Sequence, residues 1–111
     1  QVPTIRLTIG RKDRRVPLNE IDCFTAEDGY VIARSAKLEG FVDTSLQQLE
    51  KHFNGLLIRV HRSCVAVRES VVGIEARSPA EHHILFRDGL KGIAISRRQL
   101  RTVRTILGGH I

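Results

Sequence analysis

Apolar residues in this chain recur mainly with a period of two, which is the pattern of half-buried β-strands. At the start of the chain Ile5, Leu7 and Ile9 alternate with polar residues. Further short runs rich in Val, Ile and Leu predict strands at 15–18, 21–25, 30–36, 40–43, 57–61, 64–67, 71–76, 83–87 and 92–95. The pattern therefore predicts a mainly β domain.

Turn residues separate these runs at short intervals. Asp28-Gly29 and Asp88-Gly89 each lie between two predicted strands, and such pairs are typical of β-hairpins. We therefore expect antiparallel pairing on both sides of these two dipeptides.

Two segments have helical spacing instead. Residues 44–47 (Thr-Ser-Leu-Gln) form a capping-box pattern, followed by an apolar stripe of Leu46, Leu49 and Phe53 and by the Asn54-Gly55 stop. A second capping-box pattern begins at Ser96 and ends three residues later at Gln99. It is followed by an apolar stripe (Leu100, Val103, Leu107) and a basic one (Arg97, Arg101, Arg104).

At 111 residues and 41% hydrophobic content, the chain fits a single domain, 1–111, with a core of its own. Its apolar runs are too short to span a bilayer, and no signal-peptide pattern opens it, so we expect a cytoplasmic protein without membrane contact. Because the first residue is Gln1, the sequence is expected to be a piece of a longer chain. Cys23 and Cys64 lie in apolar runs and are expected to be buried and reduced.

The charge balance is basic: 18 Lys and Arg against 12 Asp and Glu give a net charge of +6. Two groups of hydrogen-bond donors lie at loop and cap positions, namely Arg59, His61, Arg62 and Ser63, and Ser96, Arg97 and Arg98. Arginine can bind guanine through two hydrogen bonds or hold a phosphate, and a helix start accepts anions. The spacing favours nucleic acid as the partner without separating base contacts from phosphate contacts.

Enzyme signatures are missing. His82 and His83 are adjacent on a predicted strand, so their rings point to opposite faces and cannot bind one metal ion together. No Cys or His pair has zinc-site spacing, and no glycine-rich phosphate loop is present. We therefore expect no catalytic residues, no metal and no cofactor.

The sequence resembles the LytTR family, the DNA-binding domains of bacterial response regulators, and within it the AlgR-like branch among the AgrA, VirR and AlgR types. The resemblance covers nearly the whole chain. It rests on segments 21–30 and 44–50, on the Arg-Val-His-Arg-Ser string at 59–63, and on the Ile-Ser-Arg-Arg string at 95–98. It implies an elongated stack of small antiparallel β-sheets with one short helix beside them and a short C-terminal helix.

The resemblance also implies that loops and the start of the last helix enter successive major grooves of double-stranded DNA. Carried over by position, the contact regions are the loop at Asp28, Gly29 and Tyr30, then Arg62, and then Arg98 behind Ser96. The donors Arg59, His61, Ser63, Arg97 and Arg101 complete the expected DNA-binding set. Two departures stand out: Gly29 offers no side chain for base contact, and Val67 occupies a position where many members have Asn.

We therefore expect sequence-specific binding to DNA with repeated half-sites, for transcription regulation. The isolated domain is expected to be a monomer, with an upstream receiver domain outside this sequence. An RNA-binding or ribosome-associated basic β-module is the main alternative, although the phenylalanines that could form a stacking platform (Phe24, Phe41 and Phe86) lie in apolar runs. A protein-interaction domain with an acidic partner also stays open.

Overall fold

The computed structural model describes residues 2–108, and within them the fold is mainly β, as predicted. The strands are β1 (Thr4–Ile9), β2 (Lys12–Pro17), β3 (Cys23–Glu27), β4 (Tyr30–Arg34), β5 (Glu39–Val42), β6 (Leu57–His61), β7 (Cys64–Val67), β8 (Val71–Ser78), β9 (Glu81–Phe86) and β10 (Ile93–Ile95). The helices are α1 (Leu46–His52) and α2 (Arg97–Ile106). No helix in this part of the chain is long and apolar enough to cross a membrane.

The larger sheet is antiparallel and has seven strands in the order β2-β1-β5-β4-β3-β7-β6. Within it, β1 meets β5 through the single ladder pair Thr8 and Phe41. The hairpin predicted at Asp28-Gly29 is confirmed as the β3–β4 turn. Both residues have positive φ angles, 50° and 83°, as a tight two-residue turn requires.

The smaller sheet has three strands in the order β10-β9-β8. β9 and β10 pair antiparallel around Asp88-Gly89, so this predicted hairpin is also confirmed, but its connection runs through residues 87–92 rather than a two-residue turn. Arg87 draws the connection toward the larger sheet, since its Nε donates to Asp22 Oδ1 at 3.0 Å and its Nη2 donates to the Asn19 carbonyl. The two antiparallel sheets with a helix beside them match the predicted stack. The structure adds that the larger sheet is wide.

Apolar side chains alternate along β3, β6 and β7, so these strands contribute to a core on each face of the larger sheet. The first core lies against α1 and contains Leu7, Val16, Leu18, Ile21, Phe24, Val31, Ala33, Val42, Leu46, Leu49, Phe53, Val65 and Val67. The second core lies against α2 and the smaller sheet and contains Cys23, Ile58, Val60, Cys64, Ala66, Ile84, Phe86, Ile95 and Val103. The strands between the two cores are thereby buried on both sides.

No element among residues 2–108 covers the second face of the larger sheet where β1, β2, β4 and β5 form it. Side chains that share this face by register are exposed, among them Arg6, Thr8, Arg15, Tyr30 and Phe41. Phe41 corrects a sequence-based expectation, because it lies in an apolar run and yet half of its surface is exposed. The open face is called the uncovered face below.

Both helices begin at a serine. Ser96 caps α2 as predicted, and its side chain accepts a hydrogen bond from the Gln99 amide at 3.3 Å. The cap of α1 is one residue later than predicted: Ser45, not Thr44, accepts from the Gln48 amide at 3.1 Å. Both serines have the extended backbone of an N-cap, while their following residues are helical.

Cys23 and Cys64 are free thiols, and both are buried in the second core, as expected. The neighbouring Cys23 thiol and burial both raise the pKa of the Cys64 thiol. Val67, at the position where many members of the resembled family have Asn, uses its backbone: its amide donates to the Asp22 carbonyl at 2.8 Å, and the buried Ser70 hydroxyl donates to the same carbonyl at 3.0 Å. The main chain and a neighbouring hydroxyl thus hold this turn.

Candidate nucleic-acid interface

The tip of the β3–β4 hairpin presents Asp28, Gly29 and Tyr30 to solvent. The Tyr30 ring packs edge-on against Phe41 with ring centroids 5.5 Å apart, and 63% of Tyr30 is still exposed. The strands below the tip are braced by an ion pair of 2.6 Å between Arg34 Nη2 and Glu27 Oε2. Hydrogen bonds from Arg34 and from Thr25 lower the pKa of the Glu27 carboxyl. The tip is therefore a firmly held, exposed loop.

The turn between β6 and β7 holds His61, Arg62 and Ser63. The Ser63 amide donates to Nδ1 of His61 at 3.0 Å, so in the neutral ring Nε2 carries the proton and can serve as a donor. Burial, followed by the charges of Arg59 and Arg62, lowers the pKa of His61. Arg62 itself is exposed.

Arg59 has internal partners that the sequence did not indicate. Its Nη2 forms an ion pair of 2.5 Å with Glu50 Oε1 on α1, and its Nη1 donates to the Arg62 carbonyl at 2.9 Å. These bonds tie helix α1, strand β6 and the turn together. No short-range pattern signals this pairing, because Glu50 lies on a different element nine residues away.

The start of α2 places Ser96, Arg97 and Arg98 beside strand β6, since the Ser96 amide donates to the Val60 carbonyl at 3.0 Å. Arg97, Arg98 and Arg101 are all exposed. The first amides of a helix have no partner within the helix and are drawn to anions. At its other end α2 is anchored by Arg68, whose Nη2 donates to the Ile106 carbonyl at 2.9 Å.

The structure brings five of the seven residues in the two predicted donor groups together in one cleft, which we call the donor cleft. It is lined by Arg59, His61, Arg62, Ser96, Arg98 and Gln99. Among the described residues no carboxylate lines it, and three of its six residues are arginines. Gln99 was not predicted from the sequence as a lining residue, because its place in the capping box already accounted for it.

A second cleft joins the donor cleft to the hairpin tip. Gly29 and Tyr30 line it on one side, and the start of α1 lines it on another with Asp43, Thr44, Ser45 and Gln47. Arg59 and Arg62 line both clefts. The Ala26 amide also donates to the Ser63 carbonyl at 2.9 Å, which fixes the hairpin to the 61–63 turn. Of the predicted DNA-binding residues, Asp28, Ser63, Arg97 and Arg101 lie outside both linings.

No group of three or more metal-ligating side chains occurs within residues 2–108. The rings of His82 and His83 have separate partners: His82 Nε2 is 3.3 Å from Arg104 Nη2, and His83 Nε2 is 2.9 Å from Glu81 Oε2. Exposed donors of this kind can hold an anionic surface.

Comparisons with known proteins agree with one another. The family model of the LytTr DNA-binding domain matches residues 11–108. The positive alginate biosynthesis regulatory protein of Pseudomonas aeruginosa is 34% identical over 94 residues, which are 83% of this chain and 38% of that protein. The chain thus spans well under half the length of this relative.

A solved LytTr DNA-binding domain from Bacillus cereus superposes with a TM-score of 0.85 at 20% identity, covering 97% of this chain and 98% of that one. At this identity the likeness concerns the fold.

Proposed function

Because this chain belongs to the LytTR family of DNA-binding domains, which is not a class of enzymes, we propose that it binds double-stranded DNA sequence-specifically to regulate transcription. It acts as the output domain of a two-component response regulator in the bacterial cytoplasm. We propose that it works together with an upstream receiver domain, as the family resemblance implies.

The observation that carries this proposal is the convergence of three exposed regions. The hairpin tip, the 61–63 turn and the start of α2 share one surface through two clefts that have Arg59 and Arg62 in common. Loops and a helix start of this kind fit the major groove, which is wide enough to admit them. We propose that they enter successive major grooves.

We assign base reading to Arg62 and Arg98 and phosphate contact to their neighbours. Arg62 and Arg98 are exposed and line the acid-free donor cleft. Phosphate contacts fall to His61 Nε2, Ser63, Ser96, Arg97 and Arg101. In the hairpin tip Gly29 has no side chain, so contact there comes from Asp28 and Tyr30.

Arg59 has a different part in this proposal. Two of its nitrogens are already bonded to Glu50 and to the Arg62 carbonyl. We infer that it positions the backbone of Arg62 and contacts DNA less than the other arginines do.

One observation favours the alternative of single-stranded RNA binding. Tyr30 and Phe41 form an exposed aromatic pair on the uncovered face, and exposed aromatic rings on a sheet are where single-stranded bases stack. The pair supplies only two rings, however, and Tyr30 also lines the second cleft with Arg59 and Arg62, where the donors for a duplex converge. We therefore keep RNA as the second candidate.

A salt titration with competing nucleic acids tests the proposal. If roughly five phosphates are contacted, log K against log salt for random duplex should fall with a slope of about −4 to −5. Arg97→Ala and Arg101→Ala should each reduce that slope by about one and weaken specific and random duplex alike. Anisotropy measurements that show no salt dependence, or a preference for single-stranded RNA over duplex DNA, would overturn it.

A further inference from the structure

Most of the excess positive charge of this chain lies at one edge of the larger sheet. Residues 4–17, the β1–β2 hairpin, carry five of the 18 basic side chains and one of the 12 acidic ones, so they supply +4 of the net +6. The five are Arg6, Arg11, Lys12, Arg14 and Arg15, and all are exposed. None of them belongs to the DNA-binding set predicted from the sequence.

Within residues 2–108 none of these five cations is in an ion pair. The one acid of the hairpin, Asp13, accepts a hydrogen bond from the Thr8 hydroxyl at 2.8 Å. Arg6 lies directly opposite Arg15 in the β1–β2 register, on the uncovered face. Like charges opposite each other destabilise a sheet, and an external anion between them would remove the repulsion.

The uncovered face connects this arginine pair to the hairpin tip. The order β2-β1-β5-β4 places Phe41 opposite Thr8, and the Phe41 ring contacts Tyr30. Three strand intervals at about 4.8 Å each separate β2 from β4, or roughly 14 Å. At 3.4 Å per base pair this is about four base pairs, so duplex that extends beyond the tip region can reach Arg6 and Arg15.

We propose that Arg6 and Arg15 form a second DNA-backbone site, which binds phosphates of the duplex that flanks the half-site. This proposal rests on the proposed function. Guanidinium groups hold phosphates through charge-assisted hydrogen bonds. The cores of protein–protein interfaces are apolar and poor in charge, whereas the side chains of β1 and β2 on this face, apart from Pro17, are polar or charged: Thr4, Arg6, Thr8, Asp13 and Arg15. Arg6 also lies outside the residues that the family model matches.

The test compares two duplexes that carry the same half-site, chosen by selection from a random library. One is about one helical turn long, and the other has about one further turn on each side. Arg6→Gln/Arg15→Gln is compared with Lys37→Gln/Lys91→Gln, which removes two positive charges from exposed loops outside the hairpin and both clefts. Melting curves check that both variants fold.

For the parent and the lysine variant, the slope of log K against log salt should be steeper by about 1.8 with the longer duplex than with the shorter one. A fourfold rise in salt should then lower the ratio of the affinity for the longer duplex to that for the shorter one about twelvefold. The arginine variant should bind the short duplex as the parent does and lose this steepening.

Equal steepening in both variants would overturn the proposal, and so would loss of short-duplex binding in the arginine variant alone. If only the arginine variant loses retention on immobilised polyglutamate, while its salt slope still steepens with the longer duplex, the surface would instead be assigned to an acidic protein. Failure of every form to bind the short duplex would contradict the proposed function itself.

Discussion

At the scale of single residues, Arg62 and Arg98 combine exposed side chains with well-held backbones. The Arg62 carbonyl is bonded by Arg59, and the helix turn of Arg98 is fixed to β6 through Ser96. Arg62→Lys and Arg98→Lys keep the charge but lose the two-pronged hydrogen bond to guanine. We expect each to lose preference at a different base pair, by about 1–3 kcal/mol or roughly 5- to 150-fold, with random duplex bound nearly as before.

Binding to a library of mutated operators measures this preference. Arg97→Lys is the matched control, since a point charge suffices for a phosphate and the base preference should stay intact. If both lysine variants keep the full preference of the parent, neither arginine reads a base, and sequence must be read by the Asp28–Tyr30 loop or through DNA shape.

His61 links the same turn to pH. Its pKa is lowered in the folded protein, so between its ordinary value of 6.5 and the lowered one the unfolded chain binds more protons. The free energy of unfolding should therefore fall as pH drops through this window, and protonation of Nδ1 would also break the hydrogen bond from the Ser63 amide.

Urea unfolding across pH 5 to 7 measures the effect. His61→Asn offers a neutral acceptor in place of Nδ1 and should flatten the dependence in this range. The pKa values of Glu27 and Glu81 are lowered from 4.5, so these carboxylates lose their contributions to stability only at more acidic pH. They serve as an internal reference for loss of stability outside the range in which His61 titrates. An unchanged pH profile in His61→Asn would contradict the assignment.

At the scale of elements, the Ser96 cap has two separable roles. Ser96→Ala removes the acceptor of the Gln99 amide and should cost about 1 kcal/mol of stability. Ser96→Asp restores an acceptor and should retain stability, yet it places a negative charge where we propose a phosphate and should weaken all DNA binding. Chemical unfolding and anisotropy together measure both effects.

Ser45→Ala, at the cap of α1, is the matched control for the loss of a cap. It should lower stability by a similar amount, and it controls the stability measurement alone, because Ser45 itself lines the second cleft. If Ser96→Asp binds DNA as tightly as the parent, the start of α2 does not face phosphate.

Local chemistry explains which elements the sequence could predict. Period-two alternation and the Asp28-Gly29 pair act over a few residues, and most strands and the hairpin followed from them. Strand β2 begins at Lys12 and not at residue 15 as predicted, because pairing with β1 holds its charged first half. The α1 cap differs by one residue because adjacent Thr44 and Ser45 can both cap, and packing of the Leu46, Leu49 and Phe53 stripe selects the second. Phe41 is exposed because the part of the sheet around it has no covering layer, which depends on tertiary structure.

At the scale of the whole molecule, the strand order was beyond prediction from the sequence. The β3 strand pairs with β4 across a two-residue turn but also with β7, some forty residues away along the chain. The Arg59–Glu50 ion pair and the Arg87–Asp22 ion pair likewise join separate elements. For the candidate site, the donors were visible as residue types in clusters, whereas their convergence in one cleft required the fold.

The exposed apolar residues bear on oligomeric state. Val2 and Leu56 line one cleft together, Val72 lies on β8, and Tyr30 with Phe41 forms a small pair, whereas a stable interface buries about 800 Å² on each partner. We expect this 12.5 kDa domain to sediment as a monomer and to assemble in pairs only on half-sites about one helical turn apart. Analytical ultracentrifugation with and without such DNA tests this, and a tight dimer of the free domain would refute it.

The two buried thiols allow opening of the second core to be followed by chemical modification. Cys23 and Cys64 lie where β3 meets β7, beneath the smaller sheet and α2, and an alkylating reagent can reach them only when these layers separate. Because the raised pKa keeps Cys64 protonated while it is buried, its alkylation rate should report how often the second core opens. Duplex that holds both α2 and the 61–63 turn should slow that rate, since it binds the closed form.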